Sequence, residues 1–220
     1  MNYYSDKANV YFTRPRKDLI SFLPERTGLK ILEIGAGGGD TLIELKQSGK
    51  ASEVTGIELF ALDGTYQNNA LIDRFIVGNI EEIKPDLRTN YFDAILFGDV
   101  LEHLLDPWSV VKNVSGFLKP GGLLIASIPN IRSRQAFKKI FLEGDFGYTS
   151  EGLFDKTHYR WFCKKNMIHL LTPTSFELVS VTSNLELKKG SGTRILNRLT
   201  GRFFEDFLTV QFITVTRKII

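Results

Sequence analysis

The sequence predicts an α/β protein: a three-layer sandwich with helices on both faces of a seven-stranded mixed sheet whose last strand runs antiparallel. Three observations carry the expectation. Short runs of branched apolar residues alternate with helical patterns along most of the chain. The links between them are short, which calls for parallel pairing through crossover helices. Near the C-terminus the rhythm breaks, and two strand-like runs follow one another with no full strand–helix–strand unit between them.

Taken in order, "LKILEIG" (29–35), "EVTGIEL" (53–59), "DRFIVGN" (73–79), "FDAILFG" (92–98) and "GLLIASIP" (122–129) have the length and branching of buried strands. Asp40 to Gln47 and Asp106 to Leu118 carry helical spacing, the second opening on an Asp-Pro N-cap and first-turn proline. "FELVSVTS" (176–183) and "FLTVQFITVTRK" (207–218) complete the sheet as a hairpin-like pair. Two stretches fall outside it, about 130–162 after the fifth strand and about 184–205 between the last two. Both are candidate lid or docking elements on a single domain spanning 1–220.

A chain of 220 residues that is 43% hydrophobic suits one well-buried core. A formal net charge of +3 is too small to argue for a nucleic-acid partner, and none is expected. Cys163 is the only cysteine, so no intrachain disulfide can form and a reducing compartment is expected. "MNYYSDKANV" lacks a signal-peptide layout, and no run of eighteen apolar residues exists. The expectation is a cytoplasmic protein.

The segment "ILEIGAGGGD" (31–40) places four glycines within five positions directly after a buried strand. In open α/β sheets ligands sit at the carboxyl ends of strands, where such a loop would lie. A phosphate-binding P-loop requires a Lys-Ser or Lys-Thr that is absent here. A dinucleotide fingerprint counted from Gly35 and Gly37 meets Asp40 where its last glycine should stand. The spacing is instead E-x-G-x-G-x-G, from Glu33 through Gly35, Gly37 and Gly39.

That spacing resembles motif I of the class I S-adenosyl-L-methionine (SAM)-dependent methyltransferases. The likeness continues through "VTGIEL", "VGNIEEI", "FDAILFGDVLEHLLDP" and "LKPGGLLIASIPN". It implies a Rossmann-like fold with SAM as cofactor. It implies cofactor contacts from Glu33, Gly35, Ala36, Gly37 and Gly39, a ribose clamp at Glu58 with Leu59 beside it, and adenine contacts from Asn79 and Ile80. Asn79 stands where the family usually has Asp. Asp99 would lie near the methyl group. The physical chemistry agrees: glycines let backbone N–H groups approach the polar end of the cofactor, and Glu33 would face its ammonium or order the loop.

For the acceptor, the protein must align a nucleophile and help remove its proton. Asp99, Glu102 and His103 follow the fourth strand, and His103 is a candidate general base or a structural histidine. The insertion "GDFGYTSEGLFDKTHYRWF" (144–162) interleaves aromatics, Tyr148 among them, with Asp155, His158 and Arg160. It resembles a D-x-T-H-x-R-F/W-F element of bacterial methyltransferases linked to glycan pathways. That implies His158 as a second base, with Tyr148, Asp155 and Arg160 on the acceptor; the alternative is that they staple the insertion down. A metal held by Asp99, Glu102, His103 and His158 is disfavoured, because adjacent Glu102 and His103 should face different sides of a helix.

"TRILNRLTGRFFEDF" (193–207) spaces Arg194, Arg198 and Arg202 four apart beside Ile195, Leu199 and Phe203. An amphipathic helix with a basic stripe suits a peripheral membrane contact, a solvated sheet edge or a homodimer. The expected activity is O-methylation of a sugar or glycan-pathway intermediate. A quinone or small aromatic acceptor is the first alternative. An NAD-dependent oxidoreductase or a non-catalytic SAM-binding subunit is the alternative of another class.

Overall fold

The computed structural model describes residues 13–187 and 192–220. The chain runs α1 (Lys17–Ile20), β1 (Leu29–Ile34), α2 (Asp40–Gln47), β2 (Ala51–Glu58), β3 (Arg74–Val77), β4 (Phe92–Gly98), α3 (Pro107–Val114) and β5 (Leu118–Pro129). It continues through α4 (Arg134–Phe137), α5 (Lys164–Leu171), β6 (Phe176–Ser183), α6 (Asn184–Leu187), α7 (Gly192–Leu199), α8 (Glu205–Leu208) and β7 (Gln211–Lys218). One seven-stranded sheet has the order β3-β2-β1-β4-β5-β7-β6. β1 to β5 pair in parallel, and β7 lies antiparallel between β5 and β6.

Period-two alternation divides the buried side chains between the two faces. Leu32 and Ile34 of β1, Ile95 and Phe97 of β4, and Leu124 and Ala126 of β5 join one core with α3 and α5. Their neighbours Leu29, Ile31, Ala94, Leu96, Leu123 and Ile125 join the other with α1 and α2. Strands buried on both faces must be apolar almost throughout, and for that reason they stand out in the sequence. Asp106 caps α3, its side chain accepting from the Ser109 N–H at 3.1 Å, with Pro107 in the first turn.

Several boundaries differ from expectation. α3 stops at Val114 and a 3-10 turn over Ser115–Phe117 completes the expected helix. β5 begins earlier, at Leu118. The last strand begins at Gln211, because Phe207 and Leu208 finish α8 instead. The 130–162 insertion is pinched at its base, where Asn130 bridges Phe162 and the Ile131 N–H donates to the Phe162 carbonyl. It carries a small core of Ala136, Leu153 and Phe154, with Ile131, Ile140 and Trp161 against it.

Candidate active site

The sheet reverses direction of growth between β1 and β4, so their carboxyl ends leave a crevice between the outgoing loops. A cavity of about 490 Å³ occupies it. Glu33, Gly35, Ala36, Gly37, Glu58, Leu59, Asn79 and Ile80 form one side. Asp99, Val100, His103, Leu104, Leu105 and Tyr159 form the other, with Arg14 and Arg16.

Glu33 is the next-to-last residue of β1 and is 2% exposed. Burial pushes its pKa up to about 8, against the opposing pull of a Thr41 hydrogen bond and the Arg16 charge. Its Oε2 has no hydrogen-bond partner among the described residues. Gly35 has φ of +72°, and a Cβ there would meet the Val100 Cγ2 at 2.2 Å, so the loop passes where no side chain fits. Glu58 is fixed by its backbone neighbours: Gly37 N–H donates to Oε2 at 2.8 Å and Leu59 N–H to Oε1 at 2.7 Å. Burial raises the Glu58 pKa and these bonds work against the rise. A buried acid with one unpartnered oxygen for an ammonium, a glycine cradle and a fixed carboxylate for hydroxyls fit the donor set of SAM.

Three expected cofactor residues have structural engagements of their own. Gly39 does not line the cavity; it starts α2 with φ of +89°, and a Cβ there would press on Ile72 at 2.9 Å. Its glycine serves helix entry, not ligand approach. Asn79 lines the cavity, but its carboxamide is committed to the local turn, accepting from the Glu81 N–H and donating to Glu82. Asp99, at φ of 58°, is likewise engaged. Its carboxylate accepts from Arg16 at 2.9 Å, Ser127 Oγ at 3.0 Å and the Gln211 carboxamide. Burial works against the Arg16 charge, yet Asp99 and Asp18 outweigh it and hold the guanidinium pKa above its usual value. Asp99 therefore anchors Arg16 at the floor of the crevice.

On the acceptor side the insertion is latched to the turn after β4, because the Tyr159 and Arg160 N–H groups both donate to the Glu102 carbonyl. His103 faces the cavity, and its Nδ1 lies 3.0 Å from both the Thr157 carbonyl oxygen and the Thr157 hydroxyl. A carbonyl can only accept, so Nδ1 carries a proton, and in the neutral ring Nε2 is then the basic nitrogen. The Thr157 hydroxyl in turn donates to Asp155 Oδ1 at 2.7 Å. His158, Asp155, Arg160 and Tyr148 do not line the cavity, which corrects their expected roles. His158 packs edge-on behind His103 at 4.6 Å between ring centroids, its Nδ1 held by the Leu153 carbonyl. Asp155 is buried because it ties the loop to itself through Thr157. Arg160 braces the wall from behind by donating to the Leu105 carbonyl, and Tyr148 packs outside against Phe146 and Trp161.

The geometric objection to a metal also falls. Glu102 and His103 sit in a 3-10 turn, not a regular helix, and offer ligand atoms within 4.8 Å of each other and of one from His158. Histidines whose Nδ1 atoms face backbone carbonyls are oriented as metal ligands often are. Asp99 is not part of this group. Arg14, Arg16, Thr41, Tyr159 and Gln211 are site residues that sequence patterns do not single out.

The family model described as "Methyltransferase domain" matches residues 9–181. The chain is 30% identical over 129 residues to the "Ubiquinone biosynthesis O-methyltransferase" of Xanthomonas oryzae pv. oryzae (strain PXO99A), covering 56% of this chain and 52% of that protein. It spans about half the length of the curated relatives it matches. Among solved structures it is similar to a Mesorhizobium loti SAM-dependent methyltransferase, with TM-score 0.62 and 18% identity over 97% of this chain and 99% of that one. A SAM-dependent methyltransferase of Methanosarcina mazei gives TM-score 0.63 and 21% identity over 92% and 97%.

Proposed function

The chain belongs to the methyltransferase-domain family, and from that premise we propose that it moves the methyl group of SAM onto a hydroxyl of a quinol or other small aromatic ring. The observation that carries this is the acceptor side of the cavity, which Val100, Leu104, Leu105 and Tyr159 line together with His103. Apolar walls with one aromatic edge and one base suit a phenol. A sugar acceptor, the first expectation from sequence, has less support. It needs polar side chains for its hydroxyls, and Asp155 and Arg160 are spent on the scaffold. The curated relatives named for ubiquinone biosynthesis favour the same choice. Family membership also weighs against an NAD-dependent oxidoreductase.

SAM, when bound, supplies an electrophilic methyl on its sulfonium. Glu33 would hold the ammonium, Gly35 and Gly37 would admit the methionine end, and Glu58 would accept from the ribose hydroxyls. His103 takes the acceptor proton at Nε2, with Thr157 and Asp155 keeping the ring in one tautomer. A divalent ion on Glu102, His103 and His158 is a second reading that the clustering of their ligand atoms favours; it would orient the acceptor oxygen.

The test supplies the protein with labelled SAM and offers a catechol or a nucleotide sugar. Label should enter the catechol as an aryl ether. His103→Ala should lower kcat by ~10²–10⁴-fold while leaving SAM affinity little changed. Label found only on the nucleotide sugar overturns the phenolic acceptor.

A further inference from the structure

α7 is built inside out. Asn197 is fully buried, whereas Ile195, Leu196 and Leu199 are 54%, 52% and 80% exposed. Ordinary core packing would put the apolar stripe inward. The expected basic stripe is also rearranged. Arg194, Arg198 and Arg202 converge on Glu186 at 3.3, 3.0 and 3.2 Å, holding the helix in this orientation.

The apolar surface does not end with α7. Phe203 is 82% exposed, and Phe207 of α8 meets Phe137 of α4 edge-on at 5.7 Å. Phe137 stacks on the exposed Phe141. Two segments far apart in sequence therefore present one greasy ridge. A groove of about 560 Å³ runs beside it, with Arg132, Lys164 and Arg202 and the acids Glu205 and Asp206 on its walls next to Phe203 and Phe207.

We propose that this ridge docks on an anionic phospholipid surface, the leucine and phenylalanine tips entering the headgroup layer and the exposed arginines meeting the headgroup phosphates. The charges are arranged for it. Arg132, Arg198 and Arg202 are 65%, 58% and 55% exposed, more than the acids paired with them: Glu186 at 14%, Glu205 at 16% and Asp206 at 35%. Anionic headgroups meet cations first and apolar tips second. A second copy of this chain is a poorer occupant. A two-fold contact would set the same exposed arginines against one another. The inference stands on the exposed face alone and does not depend on which acceptor is methylated.

Flotation of the full chain with vesicles tests it. The chain should float with phosphatidylcholine containing a third phosphatidylglycerol, and remain below with phosphatidylcholine alone or in half-molar salt. Leu199→Ser with Phe203→Ser should reduce flotation at least tenfold, and Arg132→Glu with Arg202→Glu should do the same. The serine variant should keep the wild-type melting midpoint, and both variants should keep S-adenosylhomocysteine binding, because these side chains lie outside the crevice. Wild-type protein that stays below with anionic vesicles overturns the proposal. So does undiminished flotation of the serine variant. Sedimentation as a dimer that the serine variant dissociates, with no vesicle binding, assigns the ridge to self-association instead.

Discussion

Glu33 sits at the end of β1 with its carboxylate out of water, and burial holds its pKa at about 8. A raised pKa in the folded state means the neutral acid is preferred there. Its contribution to stability is complete below the ordinary glutamate pKa and is lost as pH rises through about 8. An ammonium beside Oε2 favours the ionised form, so cofactor binding expels the Glu33 proton below that pH. Affinity for S-adenosylhomocysteine, measured by calorimetry, should therefore strengthen as pH climbs from about 5 to 8. Glu33→Gln should weaken binding at pH 8 by ~2 kcal/mol, roughly 30-fold, and flatten the pH dependence. An unchanged slope in the variant would remove Glu33 from the ammonium site. Glu33 and Glu58 were legible because each ends a strand beside the glycine loop. Arg16 and Gln211 were not. They reach Asp99 from 83 and 112 residues away, and no local pattern encodes so distant a pairing.

At the scale of elements, the sequence is most readable where burial on both faces forces continuous apolar runs, as in β1, β4 and β5. It is least readable where one run serves two structures. Phe207 and Leu208 continue the apolar pattern of β7 yet close α8, because the backbone turns there to let Asn130 donate to the Asp206 and Thr209 carbonyls. The insertion misleads for a related reason: its polar residues look like ligands for a substrate but hold its own loop together. The turn after β1 offers a direct trial of element-level constraint. Gly35→Ala adds a Cβ at φ of +72° and 2.2 Å from Val100, combining backbone strain with overpacking. The cost should be ~2–4 kcal/mol, a fall of roughly 5–15 °C in Tm by circular dichroism. Gly121→Ala, at φ of +77° with no atom within 4 Å, pays only the strain and should lose ~1–2 kcal/mol. Equal losses at the two positions would mean that Val100 yields and the loop is not tightly packed.

The whole molecule converts these pieces into a site by bringing distant parts of the chain to the gap between β1 and β4. Arg16 enters from the N-terminal segment, Tyr159 from the insertion and Gln211 from the start of β7, while the glycine loop and Glu58 come from the sheet itself. A cavity assembled from so many segments exists only in the folded state, so a ligand for it stabilises the fold as a whole. At about a hundred times its dissociation constant, S-adenosylhomocysteine should add ~2.7 kcal/mol. For a chain of this size that is a rise of roughly 5–10 °C in Tm. NAD should add nothing, since the loop lacks the last glycine of a dinucleotide fingerprint. Arg16→Ala makes the argument specific to assembly. It removes the tie between the N-terminal segment and the Asp99 floor, so it should lower the midpoint without ligand and also shrink the ligand-induced rise. A variant with a lowered midpoint but the full rise would show that the N-terminal segment supports the fold without shaping the cofactor site.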